Sequence, residues 1–80
     1  MRLPSDISAP ELIKLFQKFG YHITRQKDSH IRLTTVLQGE NHITIPNHNP
    51  IRLATLSSKI GDIAFHFKTI KESIANTIFL

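Results

Sequence analysis

Apolar residues recur at helical spacing as far as Phe19, and beyond Gly20 they recur at every second position. That change of period constrains the fold more than any other feature. A pattern that buries one face of a helix cannot bury one face of a strand. Before the change, Leu12, Leu15, Phe16 and Phe19 form a stripe, with Lys14, Gln17 and Lys18 on the other side. Ser8-Ala9-Pro10-Glu11 has the form of a capping box, with Ser8 at the N-cap and Glu11 at N3. Pro10 falls in the first turn, where its missing N–H costs nothing, and Ile7 and Leu12 are spaced as a hydrophobic staple. Gly20 is expected to end this helix as a left-handed cap.

After Gly20, Tyr21, Ile23 and Arg25 alternate with His22 and Thr24, and Gln26-Lys27-Asp28-Ser29 supplies a turn. Ile31, Leu33, Thr35 and Leu37 then face one way, and His30, Arg32, Thr34 and Val36 the other. Gln38-Gly39-Glu40-Asn41 makes a second turn; a third strand, with Ile43 and Ile45 inward, ends at Pro46. Links this short imply an antiparallel meander with one buried face and one wet face. The wet face would carry His22, Thr24, His30, Arg32, Thr34, His42 and Thr44. Beyond a loop at Asn47-His48-Asn49-Pro50, Thr55 is the expected cap of a helix with the stripe Leu56, Ile60, Ile63 and Phe67. Thr69-Ile70-Lys71-Glu72 suggests a further capping box, opening a short helix through Ile70, Ile74 and Ile78. The apolar end, Thr77 to Leu80, should dock on the core or meet a partner. The fold class is therefore α+β, in the order α-β-β-β-α, with helices on one face of a three-stranded antiparallel sheet. Double-stranded RNA-binding domains share that layout.

A chain of 80 residues has room for one small domain, expected to span residues 1–80. Cysteine is absent, and no apolar run approaches the roughly 20 residues of a membrane span. The segment Met1 to Asp6 lacks the apolar centre of a signal peptide, so a cytoplasmic protein is the expectation. Ten Lys and Arg against six Asp and Glu give a net charge of +4, which favours a polyanionic partner, either nucleic acid or an acidic protein. Many small domains are basic for solubility alone, so the placement of the charge carries more weight than its sum.

That placement is concentrated. Arg25, Lys27 and Arg32 surround His30 on both sides of the first hairpin turn. Guanidinium and ammonium groups hold phosphate, and an imidazole moves protons near neutral pH, a combination suited to a phosphodiester. Ser29 is a turn residue by type, and its hydroxyl could donate to a phosphate oxygen. Five histidines raise the question of a metal, but none stand at i and i+4 and there is no Cys–His framework, so neither metal nor cofactor is expected. His22, His42 and His66 belong to no motif, and they are expected to be surface or packing residues.

Several segments in order resemble the HicA (YcfA-like) toxins: Leu12-Ile13-Lys14-Leu15, Phe19-Gly20-Tyr21, Arg25-Gln26-Lys27-Asp28-Ser29-His30 and Ile45-Pro46-Asn47-His48. The resemblance spans about positions 7 to 67. It implies a metal-independent endoribonuclease acting on mRNA, with a double-stranded-RNA-binding-like fold and a HicB-like antitoxin as partner. It makes His30 the catalytic residue, beside the Arg25, Lys27, Ser29 and Arg32 that clustering and residue type already offer as the RNA- and phosphate-binding set. His48 matches the family's Pro-x-His and is implied as an orienting or RNA-contacting group. Two positions depart from the family pattern: Asp28 and Lys68 stand where relatives carry glycine. Asp28 should keep a left-handed turn while placing a carboxylate near the phosphate site. Two other readings stay open at this point: a non-catalytic double-stranded RNA-binding module, and a protein-interaction domain whose RNase activity has decayed.

Overall fold

The protein is described by a computed structural model covering residues 2–80. Helix α1 (Ala9–Phe16) runs into a 3-10 turn (Gln17–Phe19), followed by strands β1 (His22–Lys27), β2 (His30–Thr35) and β3 (Asn41–Pro46). Helices α2 (Leu53–His66) and α3 (Lys71–Phe79) complete the chain. The sheet is an antiparallel meander in the order β1-β2-β3, so the α+β class and the strand order inferred from the sequence are those observed.

The capping box at α1 forms as its sequence implies. The Ser8 backbone N–H donates to Glu11 Oε1 at 3.1 Å, and the Glu11 N–H donates to Ser8 Oγ at 3.3 Å. The Ser8 hydroxyl also donates to Glu11 Oε1 at 2.8 Å, and this bond first, with the Ser8 backbone N–H second, holds the Glu11 carboxyl below its ordinary pKa. At 8 residues α1 is too short to stand alone in water. What holds it is tertiary: Leu12 and Phe16 are wholly buried, each contributing about 1.5–3 kcal/mol. Gly20 takes φ +82° at the end of the 3-10 turn, and a Cβ there would come within 2.7 Å of both Leu37 Cδ1 and Thr35 Oγ1. Thr35, itself buried, donates from Oγ1 to the Phe19 carbonyl at 2.8 Å and so ties the turn to β2.

The core gathers Leu12 and Phe16 of α1, Leu33 and Ile45 of the sheet, and Leu56, Ile60 and Ile63 of α2. Tyr21 is buried beneath it, its hydroxyl accepting from Asn41 Nδ2 at 2.6 Å; burial pushes its pKa upward. Helix α3 packs chiefly on α2 through buried Ile74 and Ile78, and Phe79 packs against the core, so the apolar end docks on the molecule while Leu80 stays exposed.

Four local expectations are corrected. Helix α2 begins at Leu53 with Arg52 as an extended N-cap lacking a side-chain bond, and Thr55 lies inside the helix. Buried Ile51, whose N–H donates to the Ile7 carbonyl at 2.8 Å, fixes where the chain turns upward, and the helix follows from there. Helix α3 likewise starts after Ile70 with no side-chain cap, and Ile70 is 67% exposed rather than part of the buried stripe. Strand β2 ends at Thr35, leaving Val36 and Leu37 exposed in the connection. The fourth correction concerns the alternation of β1, and it shapes the site.

Candidate nucleic-acid interface

Strict alternation would put Arg25 on the same side of β1 as Ile23 and Tyr21. The observed pairing is Ile23 with Leu33 and then Arg25 with Arg32, so Thr24 is an extra residue, a β-bulge. The insertion moves Arg25 to the open face, and Lys27 pairs with His30 on the same side. Ile23 stays on the core side but, on an edge strand, remains 47% exposed.

On the open face, Arg25, Lys27, His30, Arg32 and Thr44 line a cleft of about 250 Å³. His30 opens β2 opposite Lys27 on one side and Pro46 on the other; Arg32 lies between Arg25 and Thr44. No carboxylate lines the cleft, and the two salt bridges among the described residues, His42–Glu40 and Lys59–Asp62, engage none of its cations. The turn that carries His30 is closed by Asp28 at φ +55°, the left-handed conformation expected for it from the sequence. The Ser29 carbonyl accepts the Asn47 N–H at 2.7 Å, which ties this turn to the end of β3.

The structure thus brings together four of the six residues singled out from the sequence. Ser29 and His48 are exposed but do not line the cleft. The His48 carbonyl accepts the Ala9 N–H at 3.2 Å, so its backbone fastens the loop after β3 to the start of α1.

Sequence reasoning missed a second arrangement on this face. Thr24 Oγ1 lies 2.8 Å from Thr34 Oγ1, Thr34 Oγ1 lies 2.7 Å from His42 Nδ1, and His42 Nε2 lies 2.7 Å from Glu40 Oε2. The chain crosses all three strands. Thr34, expected on the wet face, is buried beneath it. The only hint in the sequence was the i,i+2 pairing of Glu40 with His42; the two threonines arrive from other strands through register alone. His66, by contrast, pins the connection after β2, its Nε2 lying 2.9 Å from the Leu37 carbonyl.

A helix, a three-stranded antiparallel meander and two helices define a small domain with the double-stranded-RNA-binding-like fold. A family model described as the HicA toxin of bacterial toxin–antitoxin matches residues 9–72. That is most of the chain, from the start of α1 into α3, and the protein belongs to this family. No curated protein and no solved structure matches the chain significantly. Membership makes the protein a toxin of a toxin–antitoxin module and implies an antitoxin partner. Among the described residues, no helix is long and apolar enough to cross a membrane.

Proposed function

We propose that the protein is an mRNA endoribonuclease, the toxin of a type II module, which cleaves RNA phosphodiesters through His30. The observation that carries this reading is the position of His30 among Arg25, Lys27 and Arg32 in a cleft lined by no carboxylate. A phosphate drawn into the cleft meets cations on both sides of the imidazole. His30 takes the proton from the ribose 2′-OH, and the freed oxygen attacks the adjacent phosphorus. The 5′ oxygen departs as a hydroxyl with a proton from water while His30 returns its own to solvent, leaving a 2′,3′-cyclic phosphate. Arg25 and Arg32, paired across β1 and β2, stabilise the charge that grows on the phosphorane oxygens. Ser29 and His48, outside the cleft, contact the flanking backbone of a longer RNA. The reaction needs no metal, takes place in the cytoplasm where mRNA is found, and is stopped when a HicB-like antitoxin covers the open face.

The test is RNA cleavage in EDTA. His30→Ala should lose about 10²–10⁴-fold in rate while retaining its melting temperature and its affinity for RNA. A folded His30→Ala that cleaves as fast as the parent refutes the assignment. Salt-sensitive RNA binding by a parent that never cleaves establishes the binding-module reading instead, and the absence of both leaves a protein-interaction domain.

A further inference from the structure

We propose that His42 is a stacking platform for a nucleobase, seating the nucleotide next to the one whose phosphate occupies the Arg25–Arg32 cleft. This rests on the proposal that the open face binds RNA. The reasoning starts from what His42 has left to offer a ligand. One ring nitrogen is engaged by the Glu40 carboxylate and the other by the Thr34 hydroxyl, both at 2.7 Å. An ionised carboxylate only accepts, so Nε2 carries a hydrogen and donates to it. Whichever way the Thr34 hydroxyl turns, the in-plane bonding capacity of the ring is spent. The side chain is nevertheless 36% exposed on the open face. What remains for a ligand is the π surface, which is how histidine and other aromatic side chains receive unstacked bases in single-stranded RNA.

Position and charge agree with this role. His42 stands two residues before Thr44 on the same face of β3, and Thr44 lines the cleft. Side chains two apart on a strand are separated by about 6.8 Å, the scale of one nucleotide step along an extended strand. Phosphate belongs at the arginine end, because the exposed Glu40 carboxylate repels it at the other. The hydrogen-bonded chain from Thr24 through Thr34 fixes the ring from all three strands, so little side-chain freedom is lost when a base docks. A base in a duplex has both faces covered, so this platform selects unpaired RNA.

The experiment uses His30→Ala protein, which retains the cations but not the proposed cleavage, in EDTA with a short unpaired RNA. His42→Ala added to it should weaken binding about tenfold or more, and His42→Phe, which keeps a flat face but neither hydrogen bond, should stay within about twofold of the parent. On an oligomer of abasic ribose phosphates, parent and His42→Ala should bind alike. Melting curves confirm that each variant is folded; should His42→Ala unfold, the contrast between His42→Phe on intact and abasic RNA carries the test. The inference is overturned if folded His42→Phe is as weak as His42→Ala, which assigns the ring a hydrogen-bonding role, or if His42→Ala binds as tightly as the parent. If the His30→Ala protein binds no RNA at all, the nucleic-acid reading of the whole face falls. If binding instead depends on Arg25 and Arg32 but not on His42, only the platform falls.

Discussion

Replacing Lys68 by glycine should make this protein more stable, although Lys68 is exposed and the change removes a whole side chain. The reason lies in the backbone. After α2 the Thr69 N–H donates to the Ala64 carbonyl at 2.9 Å and the Lys68 N–H to the Phe65 carbonyl at 3.3 Å, the paired bonds of a Schellman cap. Such a cap requires a left-handed residue at the position of Lys68, which has φ +55°. An L residue there costs about 1–2 kcal/mol, from crowding between Cβ and the following carbonyl. Glycine relieves this but returns about 0.4–1 kcal/mol through a freer unfolded chain. The net gain is about 0.5–1 kcal/mol, or about 2–8 °C in Tm for a domain of this size. Urea titration should show a higher midpoint with an unchanged slope, and Lys68→Ala, which keeps the Cβ, should show almost no gain. A Tm for Lys68→Gly at or below that of the parent would refute the account. Asp28 shares φ +55° at the turn beside the cleft, so Asp28→Gly extends the comparison. Aspartate tolerates this conformation better, and its stability gain should be only a few tenths of a kcal/mol. If the cleft binds RNA phosphate as proposed, removing this nearby charge should raise RNA affinity by about twofold at low salt, a gain that fades as salt rises. Lys68→Gly should leave that affinity unchanged.

Gly20→Ala should destabilise the fold by about 2–3 kcal/mol, since it combines φ +82° with a Cβ 2.7 Å from Thr35 Oγ1 and Leu37 Cδ1; a thermal melt within about 1 °C of the parent would contradict this. Because the Glu11 pKa is lowered in the folded state, the stability its ionised form provides is complete above the unfolded pKa and is lost as pH falls through the folded one. Glu11→Gln should therefore lower stability at neutral pH and flatten its decline in acid; an acid limb as steep as the parent's would argue against the capping box as its source.

How much of this was legible in the residues depends on how local each feature is. The start of α1 was readable because Ser8, Pro10 and Glu11 carry the cap within one turn, and Gly20 announced its left-handed stop. The starts of α2 and α3 were misread because Thr55 and Thr69 look like caps. In the fold, those boundaries are set by Ile51 going into the core and by the Schellman turn at Lys68. The cations and His30 were identifiable as a cluster because a two-residue turn keeps them close. The chain from Thr24 to Glu40 was not, since it exists only once three strands are in register.

The bulge at Thr24 resolves a conflict that alternation alone cannot. Arg25 and Ile23 have the same parity, as do Lys27 and Tyr21. In a regular strand, turning Arg25 and Lys27 outward beside His30 would also turn Ile23 outward and pull Tyr21 from the core, where it is 1% exposed. Keeping Tyr21 and Ile23 inward would instead point the guanidinium and the ammonium to the α1 side of the sheet, away from His30. One inserted residue reverses the parity midway, so the chain can bury Tyr21 just before β1 and still present cations at the strand's end. The inserted Thr24 is not idle either, because its hydroxyl meets Thr34 and extends the chain that holds His42. The bulge thus opens the cationic cleft and lengthens the His42 network by one strand, on an edge strand where the lost ladder bond is cheapest.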